Sequence, residues 1–228
     1  MDIEILHRPS NSAAKLTLSA GESVTAEAGA MIAMSGDMEI TTSTHKKDSG
    51  GGIFKALKRM LAGESFFMNH FTAGSNGGEI YLSTTFSGDM LGFETKGETL
   101  IVQAGSYVAS ETGVDLEVGW QGFKNFLSGE SFFWLKLSGQ GKYVLSSFGM
   151  IYPVEVDGAY IVDTGHIVAF DETLNFTIQK ASKSLIGSFL GGEGFVCRFE
   201  GKGTVWCQSH NPGSFGNTLG PLLKPRRG

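Results

Sequence analysis

The sequence has 228 residues, of which 41% are hydrophobic and 18% charged, and its formal net charge is −5. This composition is typical of a soluble globular protein, and the negative charge argues against a nucleic-acid surface as its main function. No apolar run reaches the roughly 20 residues of a membrane span. The acidic start lacks the apolar run of a secretion signal, and two cysteines suggest a reducing compartment, so we expect a cytoplasmic protein.

The first part of the chain predicts short β-strands separated by turns. Apolar residues alternate with polar ones over residues 2–8 and 16–18, and further strands are predicted over 24–27 and within 31–40. Between the last two lies Glu27-Ala28-Gly29, an acidic residue and a small residue followed by glycine, which is typical of a tight turn.

The segment that follows predicts a loop and then a short helix. Residues 41–52 have no periodicity, whereas apolar residues in 53–61 recur at three- and four-residue spacing, which is typical of an amphipathic helix. Cations lie in and before this helix at Lys46, Lys47, Lys55, Lys58 and Arg59. Two interpretations stay open: the helix rests on an anionic membrane surface, or it packs over an open end of the β core with its cations solvated.

One phrase then occurs three times along the chain. Gly-Glu-Ser-Phe-Phe at residues 63–67 recurs identically at 129–133 and in degraded form at 192–196. After the second and third copies, apolar alternation leads into Gly-x-Gly at 139–141 and 201–203 and continues beyond it, which predicts a β-hairpin. The segments before these two copies predict further short helical turns at 123–127 and 182–190.

A second phrase, acid–small–glycine, precedes the first phrase in every unit. The acids are Glu27, Glu111 and Asp163, and the glycines, which we expect at equivalent corners, are Gly29, Gly113 and Gly165. The ordered recurrence of both phrases predicts one triplicated β domain over residues 1–209, with units of about 1–88, 89–149 and 150–209. Residues 210–228 are predicted to be a tail without a core of its own.

The alternation also predicts which side chains are buried. Phe67, Phe133 and Phe195 each begin an apolar alternation and are expected in the core. Cys197 and Cys207 share the inward face of the third predicted hairpin, directly opposite each other. Two interpretations stay open for them: a disulfide, or two buried thiols that act as small apolar groups.

The opposite face of the same strands is apolar as well, at Met68, Phe132, Trp134, Val144 and Trp206. Because a row of exposed aromatic side chains is a liability on a monomer, we expect the insert helices and a partner chain to cover this face. The sequence thus predicts a homo-oligomer with an interface above about 1,000 Å². Trp134 and Trp206 are its candidate contacts.

Few residues are candidates for chemistry. In a pseudo-threefold arrangement Glu27, Glu111 and Asp163 would converge and bind a hard cation, or each acid would cap its own turn. The five histidines have no metal-ligand spacing, and neither a nucleotide-binding motif nor a serine-hydrolase motif occurs. The sequence therefore assigns no catalytic residue, cofactor or established metal ligand, and leaves the three acids as a candidate cluster.

These motifs resemble a widespread microbial family named after a yeast protein, "altered inheritance of mitochondria". The resemblance rests on the acid–small–glycine turns, the Gly-Glu-Ser-Phe-Phe phrase and Glu-Ala-Gly-Ala-Met at residues 27–31, and it covers residues 3–209. It implies a fold similar to that of the tryptophan RNA-binding attenuation protein: an all-β sandwich, or short double-stranded β-helix, of three pseudo-symmetric repeats with short helices in the inserts.

The resemblance also implies a function. The family has no established enzymatic activity, and its mitochondrial members are linked to inner-membrane organisation, so we expect a non-enzymatic binding or scaffold protein. RNA binding is not carried over with the fold, since this acidic chain has no matching motif. The alternatives are a small-ligand-binding protein or enzyme with a pocket between repeats, and a peripheral membrane protein that uses the basic helix. A deep pocket with convergent polar groups would favour the first alternative, and a flat apolar patch the scaffold.

Overall fold

The computed structural model describes residues 1–44, 67–118, 134–180 and 195–224. This part of the chain consists mainly of antiparallel β-strands, which confirms the all-β prediction. Most of each Gly-Glu-Ser-Phe-Phe copy lies outside the described residues, as do the three predicted insert helices. The same holds for the cations Lys46, Lys47, Lys55, Lys58 and Arg59 and for Phe132 and Phe133. No helix within the described ranges is long and apolar enough to cross a membrane.

Sixteen strands and one α-helix follow one another along the described residues. In the first predicted unit they are β1 (Asp2–Leu6), β2 (Ala13–Leu18), β3 (Ser23–Glu27), β4 (Met31–Met34), β5 (Glu39–Thr44), β6 (Phe67–Thr72) and β7 (Gly78–Leu82). In the second they are β8 (Met90–Lys96), β9 (Leu100–Gln103), β10 (Tyr107–Glu111), β11 (Val114–Val118) and β12 (Trp134–Ser146). In the third they are β13 (Ile151–Asp163), β14 (Ile167–Asp171), β15 (Asn175–Lys180) and β16 (Phe195–Gln208). Helix α1 (Pro212–Leu219) lies in the predicted tail.

The same strand ladder occurs once in each predicted unit. β4 pairs with β7, β10 with β12 and β14 with β16, and each ladder has its register shift at the same place. Before the shift the opposed residues are Met31 and Leu82, Tyr107 and Leu145, and Ile167 and Cys207; after it they are Ala33 and Tyr81, Ala109 and Val144, and Ala169 and Trp206. These registers give a residue-by-residue correspondence between the three segments.

The predicted hairpins are wrong, because the chain does not turn back at the glycines. β12 and β16 are continuous strands, and the glycines Gly139, Gly141 and Gly201 adopt positive φ within them. The first half of β12 pairs with β9 and β11, and its second half pairs with β8 and β10. Glycine permits the unusual φ at which one strand leaves one sheet and enters the next. Alternation shows which face a side chain takes, and it does not show which strand lies alongside.

One consequence concerns the two cysteines. Cys197 and Cys207 lie near opposite ends of the single strand β16, and both are buried free thiols. They belong to the same core cluster as Phe199 and Val205. The structure thus supports the interpretation of two small apolar groups and removes the opposed placement on which the disulfide interpretation depended.

Each predicted unit has its own core between two groups of strands. In the first unit Val24 and Phe71, from β3 and β6, pack with Leu16, Ile80 and Leu82, from β2 and β7. The second core contains Val102, Leu135, Leu137 and Leu145. The third contains Val162, Cys197, Phe199 and Val205. Alternating apolar residues on strands that have one face inward account for all three cores.

Described residues of the second apolar strand face, which carries Met68, Trp134, Val144 and Trp206, are covered within the chain. Met68 is fully buried in the second core, Val144 in the first, and Trp134, which is 2% exposed, in the third. Trp206 is half-buried, with its ring 5.5 Å from that of Phe93. For Met68, Val144 and Trp134, the expectation that insert helices and a partner chain cover this face is wrong. β3 pairs with β10 and β9 with β14, which places each unit's side chains over its neighbour.

The core prediction for the phenylalanines also needs correction. Phe67 and Phe195 are half-buried, whereas Phe71 and Phe199 further along the same strands are buried. Phe67 and Phe195 are the first residues of β6 and β16, so they lie at the margin of the sheets, next to the inserts.

Candidate functional site

The ladders change which acidic residues are equivalent. The residue that corresponds to Glu27 and Asp163 is Gln103, and it is not Glu111. These three residues end β3, β9 and β13, directly before turns that contain Gly29, Gly105 and Gly165. The predicted equivalence of Gly113 is therefore wrong. Residues 111–113 also have the acid–small–glycine pattern, one strand after residues 103–105, and this pattern led to the wrong assignment.

Glu111 has a structural role that recurs in the other units. In each unit a side chain at the C-terminal end of the β4-type strand accepts a hydrogen bond from a backbone N–H of the strand opposite. The bonds are Glu111 Oε2 from Lys142 at 2.7 Å, Asp171 Oδ2 from Thr204 at 2.7 Å, and Ser35 Oγ from Glu79 at 2.9 Å. Glu111 also lies 3.1 Å from the amino terminus of Met1. Glu111 therefore accepts a backbone N–H bond from the neighbouring strand, and it does not cap its own turn.

Asp163, in contrast, stabilises its own turn. Its Oδ1 accepts a hydrogen bond from the backbone N–H of Gly165 at 2.8 Å and one from the Asn211 side chain at 3.4 Å. Within the described ranges, no three His, Cys, Asp or Glu side chains are grouped so that they could hold a metal ion. Glu27, Glu111 and Asp163 therefore do not form the predicted cluster.

Glu27 instead lines a cleft where the three predicted units meet. The cleft has a volume of about 190 Å³. Glu27 comes from the first unit, Gln103 and Ser147 from the second, and Gln208 from the third. The cleft lies between repeats, which is where the alternative function predicted from the sequence would place a ligand pocket.

The charge of Glu27 is the main electrostatic feature of this cleft. Burial raises the pKa of its carboxyl to about 7. A carboxyl with this pKa is present in both protonation states near neutral pH, so it can either donate or accept a hydrogen bond. It would attract a cationic or hydrogen-bond-donating group of a small ligand, because pairing with a cation would recover part of the cost of burying the charge.

Hydrogen bonds hold Gln208 and Ser147, two further residues of the cleft lining, in place. Gln208 is buried and accepts a hydrogen bond from the Phe148 N–H at 2.8 Å through Oε1, and it donates one to the carbonyl of Gly165 at 3.0 Å through Nε2. Ser147 donates a hydrogen bond to the carbonyl of Gly149 at 2.8 Å. Because the polar groups of Gln208 are already paired, Gln208 shapes the cleft, and Glu27 is the ionisable side chain among the described lining residues.

An aromatic cluster closes one side of the cleft and holds the C-terminal helix against it. The ring centroid of Phe148 lies 5.0 Å from that of Phe86 and 5.3 Å from that of Phe215 on α1. Asn211 caps the start of the helix, and its side chain accepts a hydrogen bond from the Ser214 N–H at 3.2 Å. The predicted tail is therefore partly a short capped helix that packs on the β domain.

Two residues of the cleft were missed by sequence reasoning, and one of them left a signal. Gln103-Ala104-Gly105 matches Glu27-Ala28-Gly29 at both positions after the polar residue, which is closer than the match to Glu111-Thr112-Gly113. Gln208 has no comparable signal, since its place beside Phe148 and Gly165 depends on how β16 crosses the fold.

A second candidate site is a pair of strand edges. The first two junctions between units are strand pairs, β3 with β10 and β9 with β14. The strands that would make a third such junction are β4 and the second half of β13, and neither has this partner in the part of the chain that is described. Both edges carry exposed apolar side chains: Met31 and Ile32 on β4, and Tyr160 and Ile161 on β13.

Comparisons with known proteins agree with this fold. An uncharacterized protein of Streptococcus pyogenes serotype M6 is 28% identical over 210 residues, which cover 90% of this chain and 84% of that protein. The crystal structure of a protein from Streptococcus pyogenes superposes with a TM-score of 0.78 at 24% identity, over 97% of this chain and 99% of that one. The family model described as mitochondrial biogenesis AIM24 matches residues 3–210. The chain therefore belongs to the mitochondrial biogenesis AIM24 family, the family that the repeated turns and Gly-Glu-Ser-Phe-Phe phrase resemble.

Proposed function

We propose that this protein is a non-enzymatic binding or scaffold protein, built from three homologous units, that acts through its strand edges. The observation that carries the proposal is a pair of edges, on β4 and on the second half of β13, that have exposed apolar side chains and no strand partner among the described residues. An open strand edge presents backbone N–H and C=O groups that can pair with another strand, and alternate side chains then contact the partner. The family's description names a process, mitochondrial biogenesis, with which such a role is compatible.

The composition of the two edges supports this proposal. Natural edges are usually protected by charged residues or proline. The first half of β13 has Pro153 and Glu155, and β8 has Glu94 and Lys96. In contrast, neither residues 31–34 nor residues 158–162 contain a charged residue or a proline. These two edges have the character of surfaces that pair with a partner.

Blocking both edges tests the proposed function. The variant combines Ile32→Lys with Ile161→Lys, which places a charge on each edge, and its matched control is Met150→Lys, at an exposed methionine outside both edges. In native extract we expect the wild type and the control to migrate in an assembly larger than the 24.3 kDa chain, and the double variant to leave it. An assembly that the double variant joins as well as the wild type does would contradict the proposal.

The cleft supports a second candidate function, the binding of a small cationic ligand. The specific observation is the half-buried carboxyl of Glu27, whose pKa burial raises to about 7, beside Gln103 and Ser147 at the meeting point of three units. The cleft is smaller than the roughly 300–1,000 Å³ of drug-sized pockets, so only a small ligand would fit. A series of small primary amines should raise the Tm of the wild type and leave that of Glu27→Gln unchanged. Equal shifts in both proteins would refute this candidate.

A further inference from the structure

We propose that the edge of β13 in one copy pairs with the edge of β4 in a second copy, head to tail and antiparallel. In this ladder Val162 lies opposite Ala33, Ile161 opposite Met34 and Tyr160 opposite Ser35. The inference rests on the proposed function and deepens it, because it identifies the partner as another copy of this chain and fixes the register. It also gives the predicted homo-oligomer a different contact surface from Trp134 and Trp206.

The register follows from the two junctions that exist within the chain. In both junctions a strand of the β3 type pairs antiparallel with a strand of the β4 type from the next unit. The opposed residues are Ala26 and Ala109, Thr25 and Ser110, and Val24 and Glu111 in the first junction, and Val102 and Ala169, Ile101 and Phe170, and Leu100 and Asp171 in the second. The two junctions therefore use the same alignment at every position.

The strand ladders within the units show which residues of the open edges correspond to the paired residues of the two junctions. Ala33 corresponds to Ala109 and Ala169, since each is the first paired residue after the register shift. Val162 corresponds to Val102, since the residue after each, Asp163 or Gln103, ends its strand before an equivalent turn. A third junction by the same rule places Val162 opposite Ala33.

Burial shows what this third junction lacks on a single chain. Val108 and Val168, the shifted residues of β10 and β14, are fully buried, whereas the corresponding Ile32 is 57% exposed. Ile101 on β9 is fully buried, whereas the corresponding Ile161 is 50% exposed. The valines and the isoleucine within the existing junctions are therefore covered, and Ile32 and Ile161 at the open edges are exposed. A second copy would supply the missing strand on each side.

The contact joins two different surfaces, so it is heterologous. Each copy offers one β4 edge and one β13 edge, and a dimer joined by one such contact leaves one edge of each kind open. Further copies add in the same way until the rotation between copies closes a ring. We expect each contact to bury more than about 1,000 Å², the size of a stable interface.

Variants with one added cysteine each test the register directly. Met34→Cys and Ile161→Cys are purified separately, mixed and oxidised, so that only a contact between copies can link them. Directly opposed residues in an antiparallel pair have Cβ atoms about 4.5–5.5 Å apart, close enough for a disulfide after a small adjustment. The native Cys197 and Cys207 are buried and should not compete. We expect the mixture to give a covalent dimer.

The matched control moves the cysteine out of register. Met34→Cys mixed with Ala159→Cys uses the same edges, and we expect at least about tenfold less dimer from it, because the residues are displaced along the strand by about 7 Å. Equal yields from the two mixtures would overturn the proposed register. Efficient dimers from Ile161→Cys alone would show β13 pairing with itself, which would overturn the head-to-tail arrangement.

Light scattering of the purified protein separates this inference from the proposed function. We expect the wild type and Met150→Lys to have masses above 24.3 kDa at micromolar concentration, and Ile161→Lys to be a monomer. Met150 and Ile161 are equally exposed, so both changes remove the same kind of apolar surface. A monomeric purified wild type would overturn the inference. In that case the proposed function could still hold: if the double variant Ile32→Lys with Ile161→Lys leaves the assembly in extract, the edges bind a partner other than a second copy.

Discussion

Replacing Glu27 by Gln tests the electrostatics of the cleft, because Gln is the residue at the equivalent position 103. Burial raises the pKa of the Glu27 carboxyl from 4.5 to about 7. Between these values the folded protein retains a proton that the unfolded chain has released, so the free energy of unfolding falls as the pH rises through this window. Each pH unit of the window is worth at most about 1.4 kcal/mol. Because Glu27 is only half-buried, we expect a total penalty of about 1–3 kcal/mol above pH 7.

Urea unfolding of wild type and Glu27→Gln at about pH 4 and about pH 8 measures this penalty. At the lower pH both side chains are neutral and the two proteins should be equally stable. At the higher pH the variant should be more stable by about 1–3 kcal/mol, because the wild type must bury a charge. Glu94→Gln, which replaces an exposed carboxylate on β8, is the control and should show no such change. A difference between wild type and Glu27→Gln that is the same at both pH values would refute the reasoning.

Three further predictions concern stability and reactivity. Asp89→Ala should lower the free energy of unfolding by about 2–3 kcal/mol, since this buried carboxylate accepts hydrogen bonds from an arginine, a serine and a backbone N–H. Burial raises the pKa of Asp89, but these bonds outweigh it and the net pKa is lowered. The loss of stability in Asp89→Ala, measured by urea unfolding, should therefore shrink below about pH 4. Phe199→Ala should cost about 3–5 kcal/mol because the ring is fully buried, whereas the 40% exposed Phe86 should cost less on the same change; equal costs in urea unfolding would contradict the assigned core. Burial raises the pKa of Cys197 to about 12 and that of Cys207 to about 11, so a thiol reagent at about pH 8 should modify both only after denaturation. Rapid labelling of the native protein would show that β16 is less buried than described.

The sequence predicted which side chains are inward more reliably than which strands are neighbours. The apolar alternation after the second and third phrases correctly predicted a buried face, on which Leu135, Leu137, Cys197 and Phe199 lie, since a period of two fixes the face of a strand. It could not distinguish a hairpin from a continuous strand, because both give the same alternation on either side of a glycine. It also placed Trp134 on an open face, since the covering residues belong to a different unit.

The candidate site was predicted only in part. Glu27 was singled out from its turn, and the structure places it in a cleft between units. Its predicted companions, Glu111 and Asp163, share its chemistry, but each accepts a backbone N–H bond elsewhere: Glu111 from Lys142 on β12, and Asp163 from Gly165 in its own turn. The true neighbours, Gln103 and Gln208, come together through strand pairing between distant segments, which residue types alone do not encode.

The interleaved cores have a consequence for the size of the folding unit. Met68 of the first unit completes the second core, Trp134 of the second completes the third, and Val144 of the second completes the first. A unit produced by itself would therefore have gaps in its own interior and would leave its contribution to a neighbour exposed. Strand β12 hydrogen-bonds in two sheets, so unfolding of one sheet also removes hydrogen-bond partners from the other. The chain should consequently melt in one cooperative step, and a fourth copy of the unit could be accommodated only if the interiors on both sides of it were rebuilt.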